Sequence, residues 1–235
     1  MAPLPDITFY YFPLACSQAV HIVLHELAIP FKAVSTRHNS DRKLEAADGS
    51  LTAEEYRDQV HHSNYVPGFV VTFPDGNKES ITETPAILSY LASLVPERNL
   101  GGKTELEKAK VLSWIMWIGG TLQGTAYSAF LAPRRFVDAS DEKLKEGVQA
   151  GGRRNIEAGY DHIEKHLQKP GSGWLVGQDV TLADAYAYVI YRWGIRLAGY
   201  DMEKYKKYTE FARRLEGRES VKKALEDEGV PAHFN

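Results

Sequence analysis

The 235-residue chain is 43% hydrophobic and 25% charged, with 28 basic residues against 31 acidic ones and a formal net charge of -3. That is the makeup of a folded globular protein with material for one large core or two modest ones, and it excludes the basic footprint of a nucleic-acid binder or a polybasic membrane anchor. No apolar run is long enough to cross a bilayer, MAPLPDITFYY carries no signal-peptide pattern, and the single cysteine, Cys16, leaves no internal disulfide. A cytoplasmic protein without nucleic-acid or membrane partners is expected. The absence of a Cys/His cluster at zinc spacing and of a phosphate-cradling glycine loop makes metal and nucleotide chemistry unexpected.

Ile7 to Tyr11 is β-branched and aromatic and reads as a short buried strand. From Ser17, the apolar residues Val20, Val23, Leu24 and Leu27 recur at helical spacing until Ile29-Pro30, and Phe31 to Ser35 is a second strand. The polar stretch Arg37 to Ser63 reads as a surface loop interrupted by a short helix, for which Thr52-Ala53-Glu54-Glu55 supplies a capping box. Gly68 to Phe73 and Lys78 to Ile81 flank the turn Pro74-Asp75-Gly76-Asn77, a hairpin signal. Thr84-Pro85 then starts a helix to about Leu94, with threonine as cap and proline in the first turn.

Val95 to Lys103 is a Pro/Gly-rich break, and no further strand is evident beyond it. Leu106 to Leu122, Asp141 to Leu167, Leu182 to Leu197, Tyr205 to Leu215 and Ser220 to Glu228 read as helices. The expected organisation is an α/β domain over 1-94, a linker over 95-102 and an all-helical domain over 103-235.

Three places can carry chemistry. Cys16 and Ser17 stand where the first strand hands over to the first helix, and unpaired N–H groups at a helix start favour an anion such as a thiolate. Read alone, they are equally a buried small residue and a helix cap. Val66-Pro67 precedes the third strand, where proline is commonly an edge device. Glu83-Thr84 opens the next helix, where a hydroxyl and the helix dipole suit a carboxylate and the acid suits an ammonium group; plain capping is the alternative.

Together these places resemble the cytosolic glutathione S-transferase family. Tyr10 to Leu24, YYFPLACSQAVHIVL, is similar to the YYxPxxCSxxxHIxL segment of the bacterial beta class. Val66-Pro67 corresponds to the family's Val–cis-Pro, which meets the cysteinyl unit of glutathione, and Glu83-Thr84 within ITETPAILSYL to the segment holding its γ-glutamyl end. Gly177 to Ala185, GQDVTLADA, resembles the family's folding motif, in which Thr181 and Asp184 form a capping box. The implied fold is a thioredoxin-like N-terminal domain followed by an all-helical one. The chain departs from the beta class in its longer Arg37 to Tyr65 stretch, in HHSNYVP before the third strand, and in Gln123 where that class has a histidine. His21, His61 and His62 are expected to be surface or packing residues.

The resemblance implies a homodimeric enzyme with glutathione as co-substrate and no metal. A free thiol, with a pKa near about 8.5, is mostly protonated at neutral pH and must be activated. Ser17, with Cys16 and the helix N-terminus, is the expected thiolate-stabilising group and Tyr11 an auxiliary donor. A hydrophobic electrophile is expected against Phe12, Leu14, Trp117, Gln123, Tyr127, Phe130 and Phe136. Addition–elimination isomerisation, monothiol disulfide exchange through Cys16, and a non-catalytic binding module are the alternatives.

Overall fold

The computed structural model describes residues 4–138, 140–171 and 173–234. The chain divides into two units: residues up to Gly101 together with Arg213 onward, and Gly102–Ala212. The division differs from a cut at the linker in one respect: residues 213–235 pack with the first unit.

In the first unit a five-stranded sheet has the order β3-β2-β1-β4-β5. Its strands are β1 (Asp6–Tyr11), β2 (Lys32–His38), β3 (Leu44–Ala46), β4 (Gly68–Thr72) and β5 (Lys78–Ile81). β1 and β2 are parallel, joined through α1 (Ser17–Glu26), and the other pairs are antiparallel. Side chains alternate across the central strand. Tyr10 joins Val34, Leu44, Ala46, Val60 and Val70 in a core that includes Tyr56 of α2 (Ala53–Gln59), while Phe9 and Tyr11 pack on His21 of α1. Gly68 permits this closeness, since a Cβ there would lie 2.4 Å from Val60.

The stretch expected as loop and short helix also contains β3, and β2 runs on to His38. Leu44 and Ala46 face the core while Glu45 pairs with Arg37 across the ladder at 2.9 Å. Asn64 fastens the edge, its side chain accepting from Leu44 N–H (2.6 Å) and donating to Leu44 O (2.8 Å). The Thr52/Glu55 capping box forms as expected. α3 (Thr84–Leu94) begins one residue earlier than a threonine cap implies: the cap position is Glu83, which makes no side-chain cap bond.

The second unit holds α4 (Glu105–Met116), a π-helical continuation over Trp117–Tyr127, α5 (Ser128–Leu131), α6 (Glu142–Leu167), α7 (Leu182–Arg196) and most of α8 (Lys206–Glu216). The helix expected to stop at Leu122 thus continues to Leu131. Glycines 119, 120 and 124 loosen it, and Thr125 Oγ1 donates to the carbonyl of Gly120 five residues back at 3.0 Å. Gly159 of α6 lets Leu122 approach, a Cβ there lying 2.5 Å from its Cδ1. α7 is buried nearly all round, as a central core helix is. Asp184 sets its start by accepting from the N–H of Thr181 (2.7 Å) and of Leu175 (2.8 Å).

α9 (Glu219–Asp227) returns to the first unit and lies against α1. Glu26 at the end of α1 accepts from Arg218 Nη2 and Ser220 Oγ, both at 2.6 Å. No helix among the described residues is long and apolar enough to cross a membrane.

Candidate functional site

The turn from Phe12 to Cys16 carries the chain out of β1 and into α1. Ala15 N–H donates to Phe12 O at 3.0 Å, and Leu14 takes a left-handed backbone, φ 63°. Such a conformation is costly for a non-glycine residue and persists only where its surroundings impose it. Cys16 caps α1 without a side-chain bond to the helix, and its Sγ donates to Val66 O at 3.4 Å, beside the cis Val66–Pro67 bond.

Neighbouring residues on a helix point about 100° apart, and here that rotation separates their roles. Ser17 is wholly buried; its hydroxyl donates to Phe12 O (3.2 Å) and accepts from Phe12 N–H (3.3 Å). Ser17 thus braces the turn, and Cys16 is the member of the pair directed at Val66. Tyr11 is also bonded within the fold. Its hydroxyl donates to Asp227 O at 3.1 Å, its ring lies on the α1 side of the sheet, and burial foremost raises its pKa.

Sheet register brings the three sequence-predicted places to one edge. Tyr10 pairs with Gly68, and Phe69 with Ile81, so the turn after β1, Val66-Pro67 before β4 and Glu83-Thr84 after β5 all leave the same end of the sheet. Glu83 is exposed with φ 73°, whereas Thr84 is buried. His61 lies within electrostatic reach of Glu83; burial lowers its pKa, His62 adds to that and Glu83 opposes it. It is 3% exposed, a packing residue as expected.

Sequence reasoning missed the residues that hold this turn. Glu228 Oε2 accepts from Gln18 Nε2 at 2.9 Å and from Leu14 N–H at 3.4 Å, and its Oε1 lies 3.1 Å from His21 Nδ1. A carboxylate more than 200 residues away has no local signal. His21, expected as packing, is also the ring on which Phe9, Tyr11 and Phe31 converge.

Of the expected electrophile walls, Phe12 and Leu14 are half-buried on the turn, Phe12 resting on His38 with ring centres 5.4 Å apart. In the helical unit, Trp117 lines a recess of about 390 Å³ with Leu122, Gly159 and His162. Gln123 accepts from Tyr186 Oη at 2.5 Å, Phe130 lies under the Arg153 guanidinium, and Phe136 is exposed. Tyr127 is 1% exposed, bonded to Tyr160 and packed on Trp193 inside its own unit.

Comparison with known proteins bears on the fold and the family. The family model described as "Glutathione S-transferase, C-terminal domain" matches residues 135–228. The glutathione S-transferase GST-4.5 of Xanthomonas campestris is 29% identical over 222 residues, 94% of this chain and 98% of the relative. A beta-class glutathione S-transferase of Sphingomonas chungbukensis superposes with a TM-score of 0.76 at 27% identity, covering 95% of this chain and 100% of that one. The chain is similar to glutathione S-transferases over nearly its whole length. A sphingomonad glutathione S-transferase, solved in complex with glutathione, superposes with a TM-score of 0.75 at 28% identity over 95% of this chain and 100% of its own. The thioredoxin-like first unit and helical remainder of the present chain are the fold that the resemblance implied.

Proposed function

We propose that this chain binds glutathione at the sheet edge formed by the turn at Cys16, Val66-Pro67 and Glu83-Thr84, and joins its thiolate to a hydrophobic electrophile. The observation that carries the reading is the opposite orientation of Cys16 and Ser17, with Cys16 Sγ against Val66 O and the Ser17 hydroxyl turned back to Phe12. The complex of the sphingomonad relative with glutathione supports the ligand.

In this reading Val66 meets the cysteinyl unit of glutathione, and Glu83 and Thr84 its γ-glutamyl end. That leaves the glutathione sulfur beside Cys16 at the positive end of α1, where a thiolate is favoured over the thiol. The thiol proton passes to solvent, the thiolate attacks the electrophilic carbon, and the leaving group departs with the bonding pair. Cys16 S–H donates a hydrogen bond to the thiolate; lowering a thiol pKa by one unit corresponds to about 1.4 kcal/mol, the size of one well-aimed bond.

The same Sγ orientation favours one second reading, disulfide exchange. There the Cys16 thiolate attacks a glutathione mixed disulfide, releases the other thiolate, and a second glutathione thiolate frees Cys16 as oxidised glutathione forms. Wild type and Cys16→Ala are to be assayed with an aryl halide and with a mixed disulfide. The transferase reading expects aryl-halide turnover in the wild type and a fall of roughly ten- to a hundredfold in the variant. Mixed-disulfide turnover alone, abolished in Cys16→Ala, selects disulfide exchange; equal aryl-halide turnover in both proteins removes Cys16 from the mechanism.

A further inference from the structure

We propose that His21, His25 and Asp227 form a binding site for one dication of the zinc type, clasping α9 to α1. His21 and His25 are four residues apart on one face of α1, their rings stacked with centres 5.2 Å apart, and Phe31 packs edge-on against both. Asp227, the last residue of α9, meets them from across the helix pair. One donor atom from each residue falls within 4.8 Å of the other two.

His21 makes this more than an ordinary ion-pair cluster. Its Nδ1 faces Glu228 Oε1 at 3.1 Å, an arrangement in which Nδ1–H donates to the carboxylate and the lone pair is left on Nε2. That Nε2 is wholly buried and has no hydrogen-bond partner; it stands 3.3 Å from Asp227 Oδ2, which accepts from His25 Nε2 at 2.8 Å. In the neutral ring, a buried lone pair this close to a carboxylate oxygen is unfavourable, and a cation between them removes the conflict. Ligands about 2.0–2.2 Å from one tetrahedral zinc lie about 3.4 Å apart, near the 3.3 Å and 2.8 Å that separate Asp227 Oδ2 from the two imidazole nitrogens.

The donor set fits the ion. Two imidazoles and one carboxylate suit zinc, and the Glu228 bond to the distal nitrogen of His21 is the outer contact that orients metal-binding histidines. Asp227 is 46% exposed and His25 19%, which gives the ion a path and leaves a fourth position to water. The i, i+4 histidine pair is visible in the chain, but the third ligand comes from a residue 202 positions further on.

Chelator-treated protein is to be titrated with zinc chloride by calorimetry and with cobalt(II) chloride by visible absorption, for wild type, His25→Gln and Asp227→Asn. The proposal expects one ion per chain, tetrahedral cobalt bands, and a rise in Tm of about 5–10 °C at a hundredfold excess of zinc over Kd, all lost in both variants. Both substitutions alter partly exposed side chains, and melting in chelator checks that each variant folds. Wild type without saturable binding would overturn the site, because a proton on His21 would then resolve the cluster. Undiminished binding in both variants would overturn it too, placing the ion on other histidines.

Discussion

Ser17→Ala separates a structural hydroxyl from a catalytic one. The substitution removes an acceptor from Phe12 N–H (3.3 Å) and a donor from Phe12 O (3.2 Å), with Ser17 wholly buried and Phe12 half-buried. Phe12 O keeps the bond from Ala15 N–H, so the cost is mainly one N–H deprived of its partner, about 1–3 kcal/mol in general. The bonds broken are long, which puts the loss near about 1–2 kcal/mol, or about 2–8 °C in Tm for a chain of this size. Thermal melting without glutathione and aryl-halide turnover per folded enzyme are the two readouts. A lowered Tm with turnover changed less than about threefold is the expected pair, a factor well under the tenfold that 1.4 kcal/mol of transition-state stabilisation would give. An unchanged Tm with a fall above tenfold would refute the bracing role and return Ser17 to the sulfur.

Glu26 should make the α1–α9 clasp sensitive to acid. Burial alone would raise its pKa, but hydrogen bonds from Arg218 and Ser220 and the charges of Arg218 and Arg98 outweigh it, so the carboxyl titrates below its ordinary 4.5. A depressed folded pKa contributes stability above about pH 4.5 that is lost as pH falls below it; urea midpoints from pH 7 to pH 3.5 should drop less steeply in Glu26→Gln than in wild type, and parallel curves would discount the clasp. Glu83 stands at φ 73°, a strained position for a side-chain-bearing residue. Glu83→Gly should therefore raise the ligand-free stability by up to about 1 kcal/mol of relieved strain, read as a higher Tm, while shrinking the rise caused by millimolar glutathione; an undiminished glutathione shift would take Glu83 out of the binding site.

Helix limits were legible where local chemistry sets them: Thr52 with Glu55, Thr181 with Asp184, and the turn PDGN between β4 and β5 behave in the structure as their residue types demand. β3 was not, because three residues of alternation inside a polar stretch cannot be told from loop until Asn64 and the Tyr56 core are in place. The π-helical run hides within an ordinary helical pattern, since its glycines read only as weak points. The Cys16-Ser17, Val66-Pro67 and Glu83-Thr84 segments, which the register brings to one end of the sheet, could be singled out in the sequence. Which of Cys16 and Ser17 faces Val66 could not, since it rests on a rotation of about 100° about a helix axis. Nor could the grip of Glu228 on Leu14 and Gln18, which only folding brings together.

The most direct test of the central claim is a crystal structure of the enzyme with glutathione. The account predicts the glutathione sulfur in contact with Cys16 Sγ, within about 4 Å, at the start of α1, with Ser17 still bonded to Phe12. A sulfur hydrogen-bonded to Ser17 Oγ, or a tripeptide bound away from Val66-Pro67 and Glu83-Thr84, would contradict it.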